Sequence, residues 1–242
     1  MKVIVFQTLL DKGYIGKNLH INGKPSENLL IIKTCMESVR AWCKKNNYEY
    51  VICQENLGWT YAYDELTSLG YEDIPNHGYD LCVQRHALVK DYDADYIIIL
   101  DNDVWVHLDF RLPDVKIGIC ESGLYSYASP KKDKREVIKT VSIARQLAKA
   151  PYPQGGVQFL SKQYINHYCD WMISNIKSSN MPLMFGDYEQ SYMFEYTQQF
   201  PENITWLSHK YNCVPSRYDD EECRNSYIIH FPGAFKPKPL SY

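Results

Sequence analysis

The stretch "YIIILDNDVWV" (96–106) runs four apolar residues after a tyrosine into two aspartates, then turns apolar again. A run that uniformly apolar has no wet side, so it predicts a central strand covered on both faces. Asp101 then stands at the carboxyl end of that strand, and open α/β sheets bind ligands in the crevice beyond such ends. In extended chain, residues i and i+2 point to the same side. Asp101 and Asp103 are therefore expected to converge on one point, while Asn102 turns away or offers its amide to a ligand. Two hard oxygen donors at this spacing suit Mg²⁺ or Mn²⁺. From the tripeptide alone, a strand-ending turn with solvated acids stays open as the alternative.

The flanking sequence supplies the rest of the sheet. "KVIVF" (2–6) predicts a first strand, followed by a loop from Asp11 to Pro25 punctuated by Gly13, Gly16 and Gly23. Residues 26–47 carry Ser26 as an N-cap and apolar Leu29, Ile32, Met36, Val39 and Cys43 at helical spacing. "YEYVIC" (48–53) reads as the next strand, and strand, helix, strand is a βαβ unit with parallel strands. A second helix over 79–92 feeds the apolar strand. Beyond it come a strand over 115–120, a basic loop leading into a helix within 129–151, and a strand over 155–160 entered through glycines. Helices over 162–176 and 186–199, the strand and loop "NITWLSHKYN" (203–212), and a last strand over 226–231 complete the chain. With no repeat and no dividing linker, 242 residues read as one α/β domain with a full core.

Composition narrows the function classes. A net charge of −3 argues against nucleic acid as the main partner, because binding a phosphate backbone draws on an excess of Lys and Arg. The 21 tyrosines suit sugar or base stacking but equally fill core edges, so they decide little. Eight cysteines without any C-x-x-C indicate neither a zinc site nor a redox motif. No stretch approaches membrane-spanning length, and "MKVIVFQTLL" lacks a cleavage site, so the expected compartment is the cytoplasm. The charge run Lys131 to Arg135 reads as a solvated loop. Its minority reading, attraction of an anionic acceptor or lipid head group, would bring peripheral membrane association.

A second cluster joins the aspartates. "IIHFPGAFKPKP" (228–239) places His230 at the end of an apolar run, Gly233 three residues on and Lys236 three beyond. An imidazole shifts a carboxylate site from Mg²⁺ towards Mn²⁺. Glycine lets backbone approach a phosphate closely, and lysine supplies a point charge for it. Together these residues suggest a site for a metal and a diphosphate.

With "LDND" followed by "HFPGAFKP", the chain resembles the retaining nucleotide-sugar glycosyltransferases of GT-A fold. The resemblance is to family 8, the glycogenin and lipopolysaccharide galactosyltransferase type, with features of family 34. It implies a Rossmann-like GT-A domain with a mixed, mostly parallel sheet flanked by helices. Residues 1–110 would form the nucleotide-binding half and 111–242 the acceptor and sugar half. It further implies that Asp101, Asp103 and His230 hold Mn²⁺, with Mg²⁺ as the alternative. Asp101 and Asn102 would touch the ribose, and Gly233 and Lys236 the diphosphate. Thr8, Leu9 and Tyr14 fall where the family holds uracil and ribose, and Arg85 where a basic residue reaches donor sugar and phosphates. "QGGV" stands for the family's N-x-G, with Gln154 in place of Asn before Gly155 and Gly156. Glu189 and Gln190 stand for its D-Q pair near the anomeric carbon, with Asp187 as a competing carboxylate. Lys238 occupies the position of a tryptophan that often follows the final K-P. The partners so implied are a UDP-sugar donor and a glycan, lipid-linked sugar or protein acceptor. A sugar-nucleotide nucleotidyltransferase and an inactive sugar- or nucleotide-binding module remain the alternatives.

Overall fold

The computed structural model describes residues 1–8, 20–21, 24–25, 27–53, 78–121, 151–178, 189–215 and 218–231. In chain order the elements are β1 (Val3–Thr8), β2 (His20–Ile21), β3 (Lys24–Pro25), α1 (Glu27–Asn46), β4 (Glu49–Cys53), α2 (Gly78–Val89), β5 (Tyr96–Leu100) and β6 (Val104–Val106). Then follow β7 (Ile117–Glu121), β8 (Pro153–Ser161), α3 (Lys162–Ser178), α4 (Gln190–Gln199), β9 (Ile204–Leu207), α5 (Asp220–Arg224) and β10 (Ile228–His230).

Six strands form one sheet in the order β4-β1-β5-β8-β7-β9. β1 pairs parallel with β4 and β5, as the βαβ reading expects, and β7 pairs parallel with β9. β8 alone runs the other way, antiparallel to both β5 and β7. The sheet is thus mixed and mostly parallel. Strand β8 comes from the second half of the chain yet lies beside β5 from the first, so both halves share a single sheet.

Alternation along the central strands builds two cores. Ile4, Phe6, Ile97 and Ile99 cluster with Leu88 and Val89 of α2 and with Ile165, Tyr168 and Met172 of α3. Val3, Val5, Ile98 and Leu100 cluster with Val39, Trp42 and Cys43 of α1 and with Val104 and Ile228. Both faces of β5 are therefore dry, which is why its sequence carries no polar alternation. Helix α1 stops at Asn47, whose φ of 55° lies in the left-handed region, and the Tyr48 N–H returns to the Cys43 carbonyl at 2.9 Å. Asn tolerates that conformation better than most residues with a Cβ.

Two features differ from the sequence reading. The loop expected as far as Pro25 contains a minimal antiparallel pair, β2 with β3. The "VWV" after the aspartates is not merely buried chain. It is strand β6, pairing antiparallel with β10 in a separate two-stranded sheet. That pairing joins residues more than a hundred positions apart, which local pattern does not reveal. The helix expected within 129–151 falls almost wholly outside the described residues, as does the basic run Lys131 to Arg135. No helix among the described residues is long and apolar enough to cross a membrane.

Candidate metal and donor site

The site begins where β5 ends. The Asp101 N–H donates to the Gly156 carbonyl at 2.9 Å, continuing the β5–β8 ladder by one residue. The Asp101 carbonyl accepts from the Val104 N–H at 3.3 Å, so Asp101–Val104 is a tight turn. This corrects the extended geometry expected for the D-x-D. The two carboxylates converge because the chain reverses there, and a third group meets them. The structure therefore combines the turn of one sequence reading with the shared point of the other.

That third group is His230. Register places it opposite Val104, and the Phe231 N–H donates to the Asp103 carbonyl at 3.1 Å, so β10 is sewn to the turn. His230 Nε2 lies 3.2 Å from Asp103 Oδ1 and 3.5 Å from Asp101 Oδ2. Asp101, Asp103 and His230 each offer a ligand atom within 4.8 Å of the others. Neighbouring donors around one octahedral ion with bonds near 2.1 Å are separated by about 3 Å, so this spacing fits a single divalent cation. Asp103 Oδ1 and His230 Nε2 are buried and have no well-aligned hydrogen-bond partner among the described residues, which leaves both atoms placed to bind a cation.

The histidine's other nitrogen is fixed. His230 Nδ1 lies 3.0 Å from Asn212 Oδ1, an acceptor, so Nδ1 carries the hydrogen and Nε2 faces the carboxylates. Burial alone would lower the imidazole's affinity for protons. Asp103 and Asp101 outweigh burial and raise its pKa to about 9. A metal ion entering here would therefore displace a proton.

Arg85 supports the site from behind. It is 2% exposed, and its Nη1 donates to Asp101 Oδ1 at 2.6 Å. Its Nη2 donates to the Gly155 carbonyl at 2.7 Å and pairs with Glu189 Oε1. Asp101 thus gives one oxygen to Arg85 and turns the other towards His230. Burial would raise the Asp101 pKa, but Arg85 and His230 hold it well below the usual carboxylate range. Glu189 responds in the opposite sense. Burial raises its carboxyl to about 7, Arg85 offsets part of that rise and Asp101 adds to it.

Two glycines make this packing possible. A Cβ on Gly156 would clash with the His230 ring, 2.5 Å from Nδ1 and 2.9 Å from Nε2, and one on Gly155 would meet Glu189 Oε1 and lie 3.2 Å from Arg85 Nη2. The polar partners continue outward. The Gly155 N–H donates to Gln190 Oε1 at 3.2 Å, and the Gly156 N–H donates to Gln154 Oε1 at 2.7 Å. Gln154 therefore folds back along its own strand. Thr8 ends β1, and its neighbour Gln7 donates to the Asp101 carbonyl at 2.7 Å.

Of the residues expected from sequence, Arg85, Asp101, Asp103, Gln154, Gly155, Gly156, Glu189, Gln190 and His230 come together, and Asn102 lies in the turn between the aspartates. Leu9, Tyr14, Asp187, Gly233 and Lys236 lie outside the described residues. Gln7, Asn212 and Gln158 were not anticipated. Gln158 is wholly buried, donates to the Gly155 carbonyl at 3.1 Å and accepts from the Tyr168 hydroxyl at 3.1 Å. Lone amides in the apolar strands "VIVFQT" and "GGVQFL" were the available signal for Gln7 and Gln158. Asn212 had none.

No family model and no curated protein matches this chain. Solved structures share its fold. A glycosyltransferase involved in glycosylation of the major capsid of PBCV-1 is 15% identical, with a TM-score of 0.58 over 96% of this chain and 94% of that one. The glycosyltransferase GlyE of Streptococcus pneumoniae TIGR4 is 13% identical, with a TM-score of 0.54 over 98% of this chain and 56% of that one. At these identities the likeness is one of architecture, and the architecture is GT-A.

Proposed function

We propose that this chain is a metal-dependent glycosyltransferase that moves a sugar from a nucleotide sugar, a UDP-sugar in the first instance, to a glycan, lipid-linked sugar or protein acceptor. The observation carrying this reading is the Asp101, Asp103 and His230 cluster, with two buried ligand atoms lacking a well-aligned hydrogen-bond partner among the described residues, at the carboxyl end of a central GT-A strand. That the two solved structures described above are glycosyltransferases supports it.

Mn²⁺, with Mg²⁺ as the alternative, would be held by Asp101, Asp103 and His230 and would neutralise the charge that develops on a diphosphate leaving group. The chain's own residues prepare that step. Asn212 orients His230, and Arg85 balances the charge of Asp101 from the buried side. Gly233 and Lys236 are assigned to the diphosphate, Thr8, Leu9, Tyr14 and Asn102 to the nucleoside, and Gln154 and Gly155 to the sugar. Residues 1–110 supply the nucleotide half and 111–242 the acceptor half. We read the transfer as retaining, with the acceptor hydroxyl attacking from the leaving-group side. A covalent route needs a free carboxylate, and the Glu189 carboxylate is turned to Arg85 behind Gly155. Gln190 and Asp187 remain the other groups assigned near the anomeric carbon.

Screening a panel of UDP- and GDP-sugars for hydrolysis or transfer, with Mn²⁺, Mg²⁺ or chelator, tests the reading. Turnover of one donor that needs the cation and is lost in Asp103→Ala and His230→Ala is the expected result. Nucleotide binding without turnover of any donor would instead identify an inactive binding module.

A further inference from the structure

Cys213 and Cys223 are ten residues apart, in no recognised spacing motif, yet the fold sets their sulfurs 3.1 Å from one another. Both are free thiols, 0% and 2% exposed. Helix α5 delivers one of them. It is a single turn closed by a capping box, in which Asp219 accepts from the Glu222 N–H at 2.8 Å and Glu222 accepts from the Asp219 N–H at 3.1 Å. The other thiol belongs to the strip of chain that braces the histidine. The Cys213 N–H donates to the Ile228 carbonyl at 2.9 Å, and its carbonyl accepts from the His230 N–H at 2.8 Å. Its neighbour Asn212 holds His230 Nδ1.

We propose that Cys213 and Cys223 are a modification site: a dithiol that closes to a disulfide and pins the histidine arm of the metal site. The sulfurs need approach by only about 1 Å to reach bonding distance. The oxidant is a low-molecular-weight disulfide such as oxidised glutathione. One thiolate attacks it to give a mixed disulfide, and the second displaces the remaining glutathione. In sum, one protein S–S bond forms, the glutathione S–S bond breaks, and two electrons and two protons pass to two glutathione thiols. Because both sulfurs are buried, attack waits on local opening of the single turn of α5, which makes the bond a slow lock rather than a rapid sensor. Once closed, it restricts Asn212 and Cys213 relative to β10. Less ordering of the histidine is then left to occur on metal binding, so the oxidised form binds the cation more tightly.

The coupling to metal rests on the function proposed above, whereas the cross-link does not. Full-length protein is reduced, desalted and exposed under native conditions to oxidised glutathione. The expected product is lighter by about 2 Da, and its non-reducing digest links the Cys213 peptide to the Cys223 peptide. Its Tm rises by about 5–10 °C and returns on reduction. Cys213→Ala/Cys223→Ala shows neither change, and the two forms of the wild-type chain carry the test should that variant fold poorly. A glutathione adduct without mass loss, or a linkage between other cysteines, overturns the proposal. Mn²⁺ titration of both forms is expected to show affinity about 3-fold or more higher after oxidation. Equal affinities overturn the coupling, and failure of Mn²⁺ to bind the reduced form overturns the metal reading while leaving the cross-link intact.

Discussion

Gly156→Ala adds one methyl group to strand β8 at the point where it presses on the site. The new Cβ would lie 2.5 Å from His230 Nδ1 and 2.9 Å from Nε2, with the carbon between them closer still. The ring must move by about 1 Å to restore ordinary contact, and it has little room to do so. His230 is 1% exposed, its Nδ1 is held by Asn212 and its backbone is sewn to Cys213 and Val104. Overpacking of this kind costs about 1–3 kcal/mol, or about 2–12 °C in Tm for a chain of this length. The larger effect is on the metal, because ligand distances tolerate displacements of only about 0.2 Å. Calorimetric titration with MnCl₂ is expected to show affinity lowered by about 100-fold or more, and Mn²⁺ should no longer raise the Tm. Gly118→Ala is the matched control. It too is a strand glycine, but its Cβ would meet Leu207 Cδ1 and Val115 Cγ2 at 3.0 Å, far from the site. It should lose some stability and keep its response to Mn²⁺. Wild-type Mn²⁺ affinity in Gly156→Ala would refute the placement of His230 against this glycine, and with it the assignment of the histidine as a ligand.

Three further changes test the surroundings of the cluster. Arg85→Met leaves Asp101 and Glu189 buried without their shared cation, and breaking such a pair costs about 3–5 kcal/mol; a Tm lowered by less than about 4 °C would contradict the network. Asn212→Ala frees the imidazole to rotate and should weaken Mn²⁺ binding about 10- to 100-fold while far-UV circular dichroism stays unchanged. Glu189→Gln probes pH: the native carboxyl sits at about 7 against 4.5 unperturbed, so its contribution to stability is complete below about pH 4.5 and is lost as pH rises through 7, by at most about 3 kcal/mol. Denaturant titrations from pH 4.5 to 7.5 should therefore give a flatter profile for Glu189→Gln than for the wild type, and parallel profiles would count against the burial of this group.

Much of the fold was legible because it rests on local pattern. The uninterrupted apolar run in β5 announces a strand dry on both faces, and the 3.6-residue spacing in 26–47 announces α1. The site was legible only in part. Asp101, Asp103 and His230 were named from chemistry and from a resemblance between motifs. Arg85 was named for the donor and Glu189 for the anomeric carbon, and the geometry adds that Arg85 pairs with both Glu189 and Asp101. The sequence left strand and turn both open for the D-x-D, because one hydrogen bond from Val104 to Asp101 decides between them and leaves no trace in composition.

The sequence by itself determined the longer strands and helices, the parallel βαβ unit at the start of the sheet, and which carboxylates stand at the end of its central strand. Those properties follow from periodicity and from the chemistry of single side chains. Only the tertiary structure decided what each group does to its neighbours. Pairing of β6 with β10 brings His230 to the aspartates, the antiparallel entry of β8 sets two glycines against them, and a single helical turn brings Cys223 to Cys213. The physical reason is that these contacts join residues from 10 to more than 100 positions apart, and their strength depends on burial and direction, which exist only once the chain has closed on itself.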